Sequence, residues 1–148
     1  MGFMQTMRCL PGFTLVELMI VLVIASIVGA IAYPSYRDHM IRAAIPEATS
    51  GLSLYAARLE EYYLDHRSYA DSEGICALPA PAAGKFSFSC TPGSGGQSYL
   101  LTARGVSGDL AAFSYTLDQN GNERTTGLPS GWGTAPASCW IQKRQASC

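Results

Sequence analysis

Gly12-Phe13-Thr14-Leu15-Val16-Glu17-Leu18-Met19-Ile20 opens an apolar run that continues to Tyr33 and carries a single charge, Glu17. As a helix, residues 13–33 rise about 1.5 Å each, roughly 31 Å in all, enough to cross the hydrocarbon layer of a bilayer. A carboxylate at the middle of a membrane helix costs about 2.5–3.5 kcal/mol on insertion scales, and less near an end. Glu17 stands near the start of the run, and its retention there implies a task with a positively charged partner. Two plainer readings compete. One is a simple membrane anchor. The other is a secretory signal peptide, with Arg8 in its basic region, residues 18–29 as its apolar centre and Ala30-Ile31-Ala32 as its small-residue cleavage site. Glu17 inside the run, the length of the run and the lone Arg8 in the leader count against the signal peptide.

Beyond the run, Pro34 removes one backbone hydrogen bond and crowds the preceding turn, so it marks either a kink or a helix end. Ala25, Gly29, Ala30 and Ala32 make the preceding stretch narrow enough for close helix approach. Residues 35–67 read as an amphipathic helix, with Pro46 as a second kink or restart. Ala48, Leu52, Tyr55, Leu59 and Tyr62 recur in steps of four and three and define one apolar face. Arg58, Glu61 and Asp65 lie elsewhere on the wheel as a solvated face. Tyr62, Tyr63 and Tyr69 are read as core or rim packing.

The remaining chain is strand-rich. Residues 68–84 contain the breakers Gly74, Pro79, Pro81 and Gly84 and read as loop. Residues 85–90 alternate strictly, with Phe86 and Phe88 inward; residues 98–106 and 111–118 supply two further strands through Tyr99, Leu101, Ala103 and Phe113, Tyr115, Leu117. Ser107-Gly108-Asp109 is the turn between them. Residues 124–137 read as an exposed segment anchored by Trp132, and Ser138–Ile141 as a short strand or sheet edge. The expected class is α+β: a long N-terminal hydrophobic helix continuing into an amphipathic helix packed on a small antiparallel sheet.

Composition narrows the function. With 148 residues, 48% of them hydrophobic and 14% charged, the chain has the size of one ordinary domain and is not a disordered polymer. A formal net charge of −1 excludes a nucleic-acid binder by bulk charge alone. Asp118-Gln119-Asn120-Gly121-Asn122-Glu123 invites a calcium reading but fails on spacing. The EF-hand loop needs Gly at its sixth position and Glu at its twelfth, whereas Gly121 is fourth and Pro129 twelfth. Asn120-Gly121 is instead a tight-turn signal. The glycines of residues 91–97 precede a strand rather than a helix, so a phosphate cradle is not expected. There is no catalytic Ser/His/Asp set, no paired-carboxylate motif and no P-loop; no cofactor and no metal are expected. The cysteines are Cys9, Cys76, Cys90, Cys139 and Cys148. No CxxC occurs, and neither His39 nor His66 is near a cysteine in sequence, so the four beyond residue 33 read as disulfide-forming.

The Gly12–Ile20 string after a short hydrophilic leader resembles the N-terminus of type IV prepilins. The resemblance implies a leader of residues 1–12, a membrane and filament-core helix of residues 13–33, and an exported globular domain of residues 34–148. It implies cleavage between Gly12 and Phe13 by a prepilin peptidase and N-methylation of Phe13. It makes Glu17 the assembly residue, facing the amino terminus of a neighbouring subunit, and makes Pro34 a helix kink that opens when subunits enter the fibre. By the same resemblance Cys76 ties the helix-to-sheet loop to Cys90, and Cys139 pairs with Cys148 around the C-terminal loop. Tyr62-Tyr63 at the helix end, the Asn-Gly-Asn-Glu-Arg turn and Cys139-Trp140 resemble PilE-like minor pilins.

The implied protein is a structural subunit, a minor pilin. It stands in the inner membrane as a single-pass precursor and then in a cell-surface fibre serving adhesion or twitching motility. Its partners are other pilins, the peptidase, the inner-membrane assembly machinery and, before assembly, lipid. Three alternatives remain. One is a type II secretion pseudopilin, disfavoured by the paired cysteines and the missing calcium pattern. Another is a DNA-receptor minor pilin, with Lys143, Arg144 and nearby Trp140 as a small basic-aromatic patch. The last is a secreted protein cut after Ala32.

Overall fold

The computed structural model describes residues 12–148, so most of the expected leader, including Arg8 and Cys9, lies outside the described residues. The chain forms two compact units, one reaching to Asp38 and one covering His39–Cys148. A helix, α1 (Leu15–His66, 52 residues), contributes to both and continues through Pro34 and Pro46 without a break. In the first unit the apolar side chains are exposed, from Leu15 at 76% to Ile31 at 73%. No side chain from residue 12 to residue 36 is buried. The length and composition of this stretch suit a membrane span.

In the second unit the same helix turns one face inward. Ala44, Ile45, Ala48, Leu52, Tyr55 and Leu59 are buried at the helical period. Tyr62, expected to extend this face, is only half-buried; its ring stacks on His66 at 3.9 Å. Helix and sheet are also joined through polar contacts. Glu47 Oε1 accepts from Lys85 N at 2.7 Å and Phe86 N at 3.3 Å, and Tyr55 Oη donates to Leu78 O at 2.7 Å.

The sheet is four-stranded and antiparallel in the order β1 (Phe86–Pro92), β2 (Tyr99–Gly105), β3 (Ser114–Asp118), β4 (Glu123–Gly127). Phe86, Tyr99, Leu101, Ala103, Tyr115 and Leu117 supply its buried side and form one core cluster with the helix face. Phe88, expected inward, is half-buried. The third strand begins at Ser114 rather than residue 111, because the chain first makes a 3-10 turn at Gly108–Leu110. Phe113 closes that turn by donating its N–H to Leu110 O at 2.9 Å, yet its ring is fully buried, edge-on to Trp132 at 4.9 Å.

β4 corrects the sequence reading, which left residues 124–137 without regular structure. Asn120-Gly121 reverses the chain, with Gly121 at φ 75° and its N–H on Asp118 O at 3.0 Å. The Thr-rich segment that follows then pairs with β3 through Tyr115↔Thr125 and Leu117↔Glu123. The expected strand at Ser138–Ile141 is not one. The C-terminal segment is held instead by an isolated bridge, Thr125↔Ala137, and by the fully buried Thr125. Thr125 Oγ1 donates to Cys139 O at 2.6 Å and accepts from Ile141 N at 2.9 Å. Cys76–Cys90 and Cys139–Cys148 are disulfide-bonded, with Cα–Cα separations of 6.1 and 5.7 Å.

Candidate functional site

Two regions carry the residues singled out in the sequence: the start of α1 and the C-terminal end of the sheet.

At the first, residues 12–14 are non-helical, and Phe13 is 75% exposed. Thr14 O accepts the first helical bond from Leu18 N at 3.2 Å, and Thr14 Oγ1 accepts from Glu17 N at 3.2 Å. Glu17 therefore lies in the first turn, where the helix dipole favours a carboxylate. Its side chain is exposed, as are all the apolar side chains of the following turns. The arrangement is a helix surface that water does not favour, headed by one acid. It suits lipid or other apolar helices, with a cation near the acid.

At the second region the C-terminal segment folds against β4. Tyr115 Oη donates to Ile141 O at 2.8 Å, and burial pushes its phenol well above the ordinary range. Trp132 is 1% exposed. Trp140, placed by sequence in an exposed patch with Lys143 and Arg144, is half-buried and spends its indole N–H on Thr116 O at 3.0 Å. The Arg144 guanidinium lies over the Trp132 ring at 5.7 Å, so the aromatic beside it is Trp132 rather than Trp140. Lys143 is exposed. A cleft of about 550 Å³ lies alongside, lined by Arg124, Thr134, Pro136, Ser138, Ile141 and Gln145 among others. Arg124 entered the sequence reading only as the end of the Asn-Gly-Asn-Glu-Arg turn and was not assigned to this patch.

Asp118 heads the turn before β4. Oδ1 accepts from Asn120 N and Asn122 N, each at 2.9 Å, and Oδ2 accepts from Asn122 Nδ2 at 2.8 Å. Burial raises its pKa, but these donated hydrogen bonds and the Arg124 charge outweigh it and hold the carboxyl below the usual range. The carboxylate is occupied by the turn itself. Among the described residues no group of three or more His, Cys, Asp or Glu is placed to hold a metal ion.

A third cluster takes Tyr63 and Tyr69, read from the sequence as core or rim packing, and joins them to Glu60, Gln97 and Tyr99, which the sequence did not link to them. Glu60 accepts from Tyr69 Oη at 3.0 and 2.9 Å and from Tyr99 Oη at 3.0 Å. Tyr69 stacks on Tyr63 at 4.4 Å and meets Tyr99 edge-on at 4.8 Å. Tyr63 Oη donates to Gln97 Oε1 at 2.9 Å, and Gln97 Nε2 donates to Arg67 O at 3.0 Å. The cluster pins the C-terminal end of α1 to the loop before β2. Residues from three separated segments meet there, which no single-segment pattern announces.

Comparison with known proteins bears on the first region, and the family matches end at residue 117, before the C-terminal segment. Residues 34–117 match the family model described as type IV minor pilin ComP, DNA uptake sequence receptor, and residues 8–33 match the prokaryotic N-terminal methylation motif. Fimbrial protein EcpC of Eikenella corrodens is 31% identical over 115 residues, covering 72% of this chain and 75% of that protein. A type IV major pilin protein PilE1 of Neisseria gonorrhoeae is 32% identical over 109 residues, covering 72% of this chain and 66% of its own length. The type IV major fimbrial protein FimA of Dichelobacter nodosus is 29% identical over 138 residues, covering 87% and 84% of the two chains. Two further gonococcal PilE1 proteins are matched over 43% and 47% of their length, so the chain spans only part of these relatives. Among solved structures, a type IV pilin from Shewanella oneidensis aligns with a TM-score of 0.43 at 21% identity, over 62% of this chain and 88% of that one.

The tyrosine cluster gives a pH test. Burial, then the Glu60 hydrogen bond and charge, push Tyr69 up to about 12; the same causes raise Tyr99. A raised folded pKa means that the contribution to stability is complete below the unfolded value near 10 and is lost as pH rises through about 12. Thermal unfolding between pH 9 and 12.5 is expected to show Tm falling above about pH 10, in step with phenolate absorbance near 295 nm. Glu60→Gln, which removes the charge next to both phenols, is expected to shift that fall to lower loss and lower pH onset for Tyr69 ionisation.

Proposed function

The chain belongs to the type IV pilin family, and on that premise we propose that it is a minor, non-enzymatic subunit of a type IV pilus, made as a single-pass inner-membrane precursor. The observation that carries the reading is the exposed apolar stretch of α1, headed by Glu17 and coinciding with the N-terminal methylation motif. The leader is residues 1–12. Prepilin peptidase adds water across the Gly12–Phe13 peptide, leaving a carboxylate on Gly12 and an amine on Phe13; the amine then takes a methyl group from an external methyl donor, whose bond to that methyl breaks, and one N–H proton is released.

The new cation and Glu17 account for each other. Alone in an apolar setting, each carries a desolvation cost of several kcal/mol; facing each other across two subunits, they offset much of it. A subunit that docks out of register leaves both unpaired, so the pair selects one register. The apolar face of α1 is covered by lipid before assembly and by neighbouring helices afterwards. Extraction is therefore close to neutral, and work from the inner-membrane assembly machinery suffices to drive it. The fibre subsequently stands at the cell surface, and Pro34 is the point where the helix gives way during that transfer.

The minor role rests on the family model over residues 34–117, whereas the curated relatives are major pilins and fimbrial proteins. The paired disulfides and the absence of a calcium pattern set the reading apart from a type II secretion pseudopilin. The match to a DNA uptake sequence receptor family over residues 34–117 also supports a second reading, DNA reception, whose basic groups lie beyond the matched residues. Lys143 and Arg124, both exposed near the C-terminal segment, with Arg144 over Trp132, are the groups that would meet phosphates. Trp140 is a framework residue in this arrangement.

Mass analysis of the chain from native membranes is expected to give a terminus at methylated Phe13; a terminus at Tyr33 would make it an ordinary secreted protein. For the second reading, full-length mature chain in detergent is expected to shift duplex DNA in a salt-sensitive manner. Lys143→Ala and Arg124→Ala should each weaken binding and lower the slope of log affinity against log salt by about one. No shift at low salt would remove DNA reception from the account.

A further inference from the structure

Helix α1 begins at Leu15, two residues after the proposed cut. Three features fix that start. Thr14 Oγ1 accepts from Glu17 N and Thr14 O accepts from Leu18 N, each at 3.2 Å, which is the arrangement of an N-cap residue. Thr14-Leu15-Val16-Glu17 has the spacing of a capping box. Phe13 and Leu18 occupy the flanking apolar positions of a hydrophobic staple. All three place the first helical residue after the Gly12–Phe13 peptide and leave residues 12–14 non-helical.

The sequence also contains a rival start. Pro11 is a residue type favoured at the first helical position, where its missing N–H is not needed. A helix that began there would draw the Gly12–Phe13 peptide into its first turn, with helical dihedrals and its carbonyl in the helical ladder. Peptide hydrolysis needs the opposite, an extended bond whose carbonyl carbon is open to water and whose carbonyl oxygen is free to take up charge. The competition between the two starts therefore governs whether the bond is cleavable. In an apolar setting the effect of the cap is strengthened, since helix-end N–H groups have no water to bond.

Building on the processing reading above, we infer that Thr14 is the positioning residue for maturation. Its hydroxyl holds the helix start at Leu15 and keeps the Gly12–Phe13 bond extended for hydrolysis. Glu17 then has a role before assembly as well, through its backbone N–H, which is the group the hydroxyl captures. Thr14 touches neither the attacking water nor the leaving amine; it acts through the backbone.

The test uses full-length precursor and prepilin peptidase in detergent, with the initial rate of leader loss read by intact mass. Thr14→Ser retains the acceptor and is expected to be cut at close to the wild-type rate. Thr14→Ala and the near-isosteric Thr14→Val lack it and are expected to be cut about fivefold more slowly, the population change that loss of an N-cap produces. Hydrogen exchange on the uncut chain gives a readout independent of the enzyme: the Glu17 amide should be protected in wild type and Thr14→Ser, and exchange faster in the other two. Wild-type rates for both Thr14→Ala and Thr14→Val would overturn the inference while leaving the processing reading intact. So would a Thr14→Ser rate as low as that of Thr14→Ala, which would mean that the enzyme reads the methyl group. A wild-type precursor left uncut would overturn the processing reading and this inference with it.

Discussion

One helix has to satisfy two surroundings. Along residues 15–33, α1 exposes Leu, Ile, Val and Met side chains around its circumference, and from Ala44 onward it buries one face against a sheet. Burying such a side chain is worth about 1.5–3 kcal/mol relative to leaving it in water. Twelve of them on the first stretch make an aqueous exposure untenable and require lipid or protein cover. The second stretch meets its own requirement within the chain. The rest of the structure serves this division: the sheet covers the inner face of the helix, and polar contacts from Glu47, Tyr55 and Glu60 tie the helix to the loops at either end of that face.

The C-terminal third solves a different problem, holding irregular backbone in place. The last 21 residues beyond β4 form no strand or helix. They are fixed by a few buried anchors instead. Trp132 fills the space beside Phe113, Thr125 Oγ1 bridges Cys139 and Ile141, Tyr115 caps Ile141 O, and the Cys139–Cys148 bond closes the end. No buried side-chain polar atom among the described residues lacks a partner, so this irregular segment carries little desolvation cost. Backbone that is held by side chains rather than by a ladder can vary at its surface with little effect on the core, which is a useful property next to a candidate ligand surface.

Local patterns in the sequence disclosed the elements whose signal is periodic. The helix face from Ala48 to Leu59, the alternation of Tyr99, Leu101 and Ala103, and the Asn120-Gly121 turn each report a geometry within a few residues. β4 escaped because its residues, Glu123-Arg124-Thr125-Thr126-Gly127, show no alternation of apolar and polar side chains: Thr125 alone is buried, and it is satisfied by hydrogen bonds. Trp140 was misplaced for a related reason, since the partner of its indole, Thr116 O, lies 24 residues away. The Glu60 cluster joins groups up to 39 residues apart. At the helix start the reverse holds. Glu17 is legible as a charge out of place, whereas the N-cap role of Thr14 shows only in the hydrogen bond that its hydroxyl accepts from Glu17 N.

The account rests on the exposed helix passing from lipid into a fibre of like helices, with Glu17 opposite a neighbour's terminal amine. The most direct measurement is the fraction of the chain recovered in sheared fibres relative to membranes, for wild type and for Glu17→Ala, with cleavage after Gly12 confirmed in both. The account predicts that wild type enters the fibre while cleaved Glu17→Ala stays in the membrane fraction. Equal recovery of the two in fibres would contradict it, because the unpaired amine would then carry no cost that governs assembly.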